Sequence, residues 1–144
     1  MHAVARHLAQ NFERNAPTKF GKCLKYDWCY NYTMLDGDHV TVEEFVPVSF
    51  AKYVNNNGFC VPAPEDATQD LKDLFLKAET SVHYSYVVTD HKLVLLDIQG
   101  SPFTLYDPEI ATAKIMDKEH HEIYFCCGNW SSVAIAAFLS DHVT

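Results

Sequence analysis

Three polar side chains near the end of an apolar run are the residues of this sequence best suited to chemistry. Asp97 and Gln99 close the run, and Asp107 follows after a loop that contains Gly100. Because successive side chains of an extended chain point to opposite faces, Asp97 and Gln99 are predicted to share one face. Mg²⁺ prefers one or two carboxylates together with phosphate oxygens and water. The spacing therefore predicts a site for Mg²⁺ and nucleotide phosphate, with one alternative left open: Asp97 caps a turn and Asp107, before Pro108, starts another.

The common signatures of nucleotide-binding enzymes are missing from the sequence. It contains no G-x-x-x-x-G-K-[ST], no G-x-G-x-x-G, no H-R-D and no D-F-G. Each of these motifs places particular groups on phosphate or metal. Their absence excludes a P-loop enzyme and a conventional protein kinase, so a phosphate site in this chain has to be built in another way.

Length, charge and cysteine content exclude further classes of protein. The 144 residues suit one domain. The net charge is −8, whereas nucleic-acid partners require clustered Lys and Arg. The longest apolar run is much shorter than the roughly 20 residues of a membrane span, and the N-terminus lacks the apolar segment of a signal peptide. Five cysteines without a C-x-x-C pair are typical of reduced thiols. We therefore expect a cytoplasmic protein that binds neither nucleic acid nor membrane.

Hydrophobic periodicity and turn residues predict the elements that position these side chains. Helical spacing favours helices over residues 1–14, 66–78 and 131–141. Alternation around Asp36-Gly37-Asp38 favours an antiparallel hairpin over residues 22–46, since Asp-Gly is a strong hairpin signal. Residues 82–88 and 92–98 are predicted to form a second hairpin, and residues 104–110 to be irregular. The order helix, hairpin, helix, hairpin, helix predicts an α+β fold with antiparallel sheet.

A set of short motifs runs in order along nearly the whole chain. The most specific pair is Asp97-Ile98-Gln99-Gly100 followed by Asp107-Pro108-Glu109-Ile110. The others are V-E-E-F-V at 42–46, F-A-K-Y at 50–53, N-N-N-G at 55–58, S-V-H-Y at 81–84, G-N at 128–129 and F-L-S-D-H at 138–142. Together they resemble the alpha-type (atypical) protein kinases, the family of the myosin heavy-chain kinases and the channel-linked kinases.

The resemblance implies an ATP-dependent protein kinase that transfers the γ-phosphoryl group of ATP to a Ser or Thr hydroxyl of a protein substrate. Asp97 matches the catalytic aspartate that orients this hydroxyl, Gln99 matches the amide that helps hold metal and phosphate, and Asp107 matches the aspartate that binds Mg²⁺. This division of roles suits phosphoryl transfer, which depends on positioning and on neutralising the charge of the transferred group.

Four further residues acquire nucleotide-binding roles through the resemblance. Glu43 matches the acidic residue of the hinge beside the adenine, and Lys52 matches a basic residue near the nucleotide. Gly128 and Asn129 match the end of the family's glycine-rich segment near the active site. Without the resemblance, Glu43 and Lys52 would be interpreted as part of the solvated face of an edge strand.

Two histidines match ligands of the family's structural zinc site. His83 and His142 correspond to two of its four ligands, and Thr144 stands where the first zinc-binding cysteine would be. The resemblance therefore implies half of a zinc site. The alternative is that each is an ordinary core or surface histidine, a common situation for this residue type.

The resemblance also implies that residues 1–144 form a partial catalytic domain that lacks the start of the N-terminal lobe, including the strands that cover the phosphates. Two alternatives without catalysis stay open. One is a truncated pseudokinase, and the other is a small α+β protein-binding module. Without the missing strands, the hairpin at residues 22–46 would have an open edge and an uncovered apolar face.

Overall fold

The computed structural model of the chain describes residues 1–46, 49–113, 125 and 131–142. Its first element is helix α1, His2–Asn15, which confirms the helix predicted over residues 1–14. Ala5, Leu8 and Phe12 are buried on one face of this helix. The helix ends at Ala16 in an extended conformation, because the residue before a proline is disfavoured in the helical region. A short 3₁₀ helix, Thr18–Phe20, follows.

The predicted hairpin forms, but it is shorter than residues 22–46. Strands β2, Cys29–Thr33, and β3, His39–Glu43, pair antiparallel around the Asp-Gly turn, with Cys29 opposite Glu43 and Thr33 opposite His39. Residues upstream of Cys29 do not join this pair. Strand β1, Lys25–Tyr26, instead pairs in parallel with a strand far along the chain.

The hairpin has two chemically different faces. Cys29, Asn31, Thr41 and Glu43 line a cleft on one face. The opposite face carries aromatic and aliphatic side chains that remain exposed: Trp28, Tyr30, Tyr32, Val40 and Val42. The rings of Trp28 and Tyr30 stack, and the guanidinium of Arg6 lies 3.6 Å from the Trp28 ring centroid. The expected exposed apolar face is therefore present.

The second predicted hairpin was wrong, because residues 82–88 are helical. Helix α2, Gln69–Val88, is 20 residues long and begins after Thr68, whose hydroxyl accepts a hydrogen bond from the Leu71 N–H. Its buried side chains lie on one helical face: Leu74, Phe75, Ala78, Val82 and Ser85. Tertiary packing of this face overrides the strand preference of the β-branched and aromatic residues near its end.

Strand β5, Leu93–Leu96, therefore finds another partner. It pairs antiparallel with β8, Glu109–Thr112, so residues 104–110, predicted to be irregular, contribute to two strands. The first of them, β7, is Thr104–Leu105. All four residues of β5 are buried, as expected for a strand covered on both faces.

A separate four-stranded sheet holds the polar residues that were singled out. Strand β4, Ala51–Lys52, and strand β6, Gln99–Ser101, complete it, and the strand order is β1-β7-β6-β4. Only the pairing of β1 with β7 is parallel. Gly100 has no room for a side chain, because a Cβ there would meet the backbone of Thr104 and Leu105.

The last helix packs on the loop after β4. Helix α3, Ser131–Asp141, confirms the prediction for residues 131–141, and Phe138 is fully buried in the core. Gly58 ends the Asn-rich turn with a φ of +94°, and a Cβ there would meet the backbone of Ala134 and Phe138. Among the described residues, no helix combines the length and apolar composition that crossing a membrane requires.

Candidate active site

Lys52, Asp97 and Gln99 lie together at the point where β5 leaves one sheet and β6 joins the other. The pairing of β4 with β6 sets Lys52 opposite Gln99. The ammonium Nζ of Lys52 lies 2.5 Å from Asp97 Oδ1, and Gln99 Nε2 donates a hydrogen bond to Asp97 Oδ2 at 3.0 Å. The structure thus brings together three of the residues that the sequence singled out, with one partner on each oxygen of the Asp97 carboxylate.

At Asp97 the chain leaves the sheet of β5 and turns toward the sheet of β6. Its φ is 52°, in the left-handed region that Asp tolerates better than most residues. On the next strand over, the backbone N–H groups of Tyr53 and Val54 donate to the Ile98 carbonyl, and the Asp97 N–H donates to the Asn55 carbonyl. The loop after β4 therefore fixes the direction in which the Asp97 side chain points.

Because Asp97 is buried, its carboxylate interacts strongly with nearby groups. Asp97 is 8% exposed and Gln99 is 9% exposed. Tyr26 of β1 is also buried, and burial raises the pKa of its phenol above its usual value, with a further increase from the Asp97 carboxylate. Because charges interact more strongly away from water, the ion pair with Lys52 offsets part of the cost of burying the Asp97 carboxylate.

Asp107 lies in the turn between β7 and β8, and its side chain is exposed. Its φ is 49°, so both predicted aspartates adopt the left-handed conformation. The next residue but one, Glu109, is half-buried, and its pKa is raised first by burial and then by the carboxylates of Asp97 and Asp107. Lys52 acts on Glu109 in the opposite direction. Glu109 therefore lies within electrostatic reach of the whole predicted cluster.

These carboxylates could supply part of the coordination shell of a divalent cation, with other ligands supplying the rest. A cation would offset the negative charge of three carboxylates, those of Asp97, Asp107 and Glu109. Among the described residues, the oxygens of these three side chains do not come close enough to one another to form a metal site by themselves. Mg²⁺ is commonly bound in this way, by one or two carboxylates with phosphate oxygens and water. The residues present thus fit Mg²⁺ bound together with a nucleotide.

Glu43 and Asp107 share a cleft. The cleft has a volume of about 310 Å³ and is bounded by the start of α1, the polar face of the hairpin and Asp107. A second opening of about 340 Å³ lies beside it, lined by Glu43, Glu44, Phe45, Val46 and Tyr106. Apolar side chains with a few polar groups are typical of small-molecule pockets. Glu43 lines both openings, whereas Gly128 and Asn129 lie outside the described residues.

The two predicted zinc ligands are adjacent, but they form only half of a site. The rings of His83 and His142 stack with their centroids 5.0 Å apart, and Nδ1 of His83 is buried without a hydrogen-bond partner among the described residues. Structural zinc takes four N or S ligands. No third His, Cys, Asp or Glu in the described part of the chain joins this pair in a ligand cluster, so these residues alone do not complete a zinc site.

Sequence reasoning missed two residues of this region. The sequence motif includes Glu109 but assigns it no role, although its position directly after the Asp-Pro turn indicates that it lies near Asp107. Tyr26 was assigned to the hairpin, and no local signal predicted that it pairs with Leu105 in another sheet.

The Lys52–Asp97 pair leads to a prediction about stability. Lys52→Met is expected to lower the free energy of unfolding by about 1–3 kcal/mol, because it leaves a mostly buried carboxylate short of a partner. Urea denaturation measures the change. Lys92→Met is the control, since Lys92 pairs with exposed Asp90 at 3.0 Å and exposed pairs contribute little. Equal effects of the two substitutions would show that the Lys52–Asp97 pair behaves as an ordinary surface pair.

Sequence comparisons with known proteins indicate a single family. The sequence model of the Alpha-kinase family matches residues 1–144. The chain is 34% identical over 103 residues to transient receptor potential cation channel subfamily M member 6 of Mus musculus, covering 72% of this chain and 5% of that protein. It is 32% identical over 107 residues to subfamily M member 7 of Homo sapiens, covering 74% of this chain and 5% of that protein.

Solved structures show the same fold. The alpha-kinase domain of myosin heavy chain kinase A, in complex with ADP, superposes with a TM-score of 0.76 at 19% sequence identity. An inactive form of that domain in complex with ATP gives a TM-score of 0.77 at 18% identity. Each alignment covers 99% of this chain, and 52% and 51% of the respective domains. The chain therefore spans about half the length of the solved domains that it matches.

Proposed function

Because this chain belongs to the alpha-kinase family, we propose that it forms the part of an ATP-dependent protein kinase that carries the catalytic carboxylate and the metal site. The single observation that best supports the proposal is the cluster of Lys52, Asp97 and Gln99. The proposed acceptor is a Ser or Thr hydroxyl of a protein substrate. Together with ATP, the chain would require Mg²⁺.

Asp97 is proposed to orient the acceptor hydroxyl and to take its proton as the phosphoryl group is transferred. Its two carboxylate oxygens are held by Lys52 and Gln99, so the side chain need not reorganise during the reaction. Bound Mg²⁺ supplies neutralisation of the charge on the transferring phosphoryl group. A protein group that positions the reactants and a metal that offsets charge are the main requirements of this chemistry.

Gln99 and Asp107 are proposed to hold the metal. Since the amide nitrogen of Gln99 donates to Asp97, its amide oxygen is left to serve as the ligand. Asp107 offers an exposed carboxylate on the cleft. Glu109, whose pKa is raised by burial and further by both aspartates, adds to the negative potential that attracts the cation.

The adenine is proposed to lie beside Glu43. The opening there combines the acidic residue with the apolar side chains of Phe45 and Val46 and the ring of Tyr106.

We also propose a cytoplasmic location. The described cysteines, Cys23, Cys29 and Cys60, are free thiols, and free thiols persist in reducing compartments.

Calorimetric titration of the full chain with Mg-ATP tests the proposal. Asp107→Asn is expected to weaken binding of Mg-ATP at least tenfold, a change of about 1.4 kcal/mol, because the metal loses a charged ligand. Asn is chosen since it tolerates the left-handed backbone of Asp107. Asp38→Asn, which removes the same charge from the exposed hairpin turn, is expected to leave binding unchanged.

Two results would contradict the proposal. The wild-type chain could fail to bind Mg-ATP at millimolar concentration, or Asp107→Asn could bind it as well as the wild type does. Absence of binding would favour the interpretation as a non-catalytic protein-binding module with an exposed apolar hairpin face.

A further inference from the structure

We propose that His2, Cys29 and Glu43 form a binding site for a thiophilic divalent cation, of which Zn²⁺ is the best match. One ligand atom of each residue lies within 4.8 Å of the other two. This site does not include the His83–His142 pair, it lines the same cleft as Asp107, and its test requires no kinase activity.

Two of the three ligands are positioned by the hairpin. Cys29 lies directly opposite Glu43 in the β2–β3 register. Directly opposed residues of an antiparallel pair project from the same face, with Cβ atoms about 4.5–5.5 Å apart. The thiol and the carboxylate therefore face the same cleft because of backbone pairing, and this arrangement persists when the side chains change rotamer.

The third ligand comes from the start of α1. His2 Nε2 lies 3.6 Å from Glu43 Oε2, and the His2 side chain is 16% exposed. The edge of its ring packs against Tyr26, with ring centroids 5.6 Å apart and an interplanar angle of 78°. Since Tyr26 is buried in the adjacent sheet, this contact orients the imidazole toward the hairpin.

The donor set selects the kind of cation. An imidazole nitrogen, a thiolate and a carboxylate are ligands that Zn²⁺ accepts, whereas Mg²⁺ and Ca²⁺ favour oxygen. In a tetrahedral zinc site, ligand atoms are separated by about 3.3–3.8 Å, given metal–ligand distances of about 2.0–2.3 Å. The separation of His2 from Glu43 is already in this range, and rotation of the Cys29 and Glu43 side chains closes the remainder.

Such a site would keep an open coordination position. Three protein ligands plus water is the arrangement of zinc sites that remain accessible to solvent. The cleft beside these residues is open, and Asp107 lines it. The negative charges of Glu43 and Asp107 on this cleft also favour a cation over a neutral ligand.

Cobalt substitution tests the site without nucleotide. Titration of the full, reduced chain with Co²⁺ is expected to produce a thiolate-to-cobalt charge-transfer absorption that Zn²⁺ then removes by displacement. Cys29→Ser is expected to abolish the band. His2→Gln and Glu43→Gln are each expected to weaken Co²⁺ binding at least tenfold, because losing a ligand costs at least as much as losing a group that only orients a ligand, which is about 10–100-fold. The control Cys23→Ser removes a free thiol outside the cluster and is expected to retain the band.

A measurement on the wild-type chain tests the site even if a variant does not fold. Zn²⁺ is expected to slow alkylation of Cys29 at least tenfold while Cys23 and Cys60 react at unchanged rates, as read by mass spectrometry of the individual peptides. Unchanged alkylation of Cys29, or a charge-transfer band that survives Cys29→Ser, would overturn the proposal. Glu43 is shared with the proposed adenine site, but both measurements are made without nucleotide. This site can therefore fail while Mg-ATP binding is retained, and Mg-ATP binding can fail while the cobalt band is retained.

Discussion

Asp97→Asn is expected to lower the rate of phosphoryl transfer about 10²–10⁴-fold, which is the usual contribution of a positioned general base. Asn preserves the shape of the side chain and tolerates the positive φ at this position, but it cannot accept a proton. The Michaelis constant for ATP is expected to change little, because the lost interaction acts mainly in the transition state. Steady-state kinetics with a Ser/Thr peptide measures both constants.

Asp90→Asn provides a closely matched control. Asp90 also has a left-handed backbone, with φ of 54° against 52° for Asp97. It also pairs with a lysine, Lys92, but it lies on the surface. The control variant is expected to keep wild-type activity. If both variants lost activity equally, or if Asp97→Asn retained it, Asp97 would not be the catalytic base.

Gly58→Ala is expected to cause the largest loss of stability among the single substitutions considered for this chain. A residue with a side chain at this φ carries strain of about 1–3 kcal/mol. The new Cβ would also meet the backbone of α3 at Ala134 and Phe138, and overpacking of this kind adds about 1–3 kcal/mol. Chemical denaturation measures the total.

Gly37→Ala separates the two contributions. Gly37 has the same φ of +94°, but nothing lies within 4 Å of a Cβ built there. This variant is therefore expected to show the backbone strain alone, and the difference from Gly58→Ala is the steric cost of contact with α3. Equal losses would mean that α3 moves away from Gly58 without cost. The same turn accepts the Asp97 N–H at Asn55, so activity is expected to fall with stability.

Local signals in the sequence were sufficient for several elements. The apolar stripe of α1 and the Asp-Gly turn of the hairpin each depend on residues close in sequence, and both predictions were confirmed. These features could be predicted because the contacts that define them lie within one element or one turn. Asp97 and Gln99 do lie together, and Gln99 donates to Asp97, but their expected place on one extended strand was wrong, because Asp97 lies between β5 and β6 with a φ of 52°.

The second hairpin could not be predicted because two signals conflict at residues 82–88. Tyr and Val in this segment favour a strand when they are considered alone. The helical face that begins at Leu74 and Ala78 continues, however, through Val82 to Ser85. The hydroxyl of Ser85 is fully buried and accepts the N–H of Leu95, so packing against β5 decides the outcome.

The candidate site could be predicted only in part for a similar reason. Neither the Lys52–Asp97 pair nor the approach of His2 to Glu43 follows from spacing, since each joins elements that are remote in the chain. The resemblance to a family assigned Lys52 to the nucleotide, yet its contact with Asp97 emerged only from the three-dimensional arrangement. Cys29 had a local signal, because counting back from the Asp-Gly turn places it opposite Glu43.

The parallel pairing of β1 with β7 has a consequence for the kinetics of folding. It joins Lys25 to Thr104, and the contact of Cys60 with Asp141 spans 81 positions. Closing long loops costs chain entropy, and proteins rich in such contacts fold more slowly than helical bundles. Helices α1 and α2 can form within microseconds, whereas Lys52, Asp97 and Gln99 meet only after distant segments have joined. During refolding, the contacts among Lys52, Asp97 and Gln99 should therefore form well after the helical signal appears.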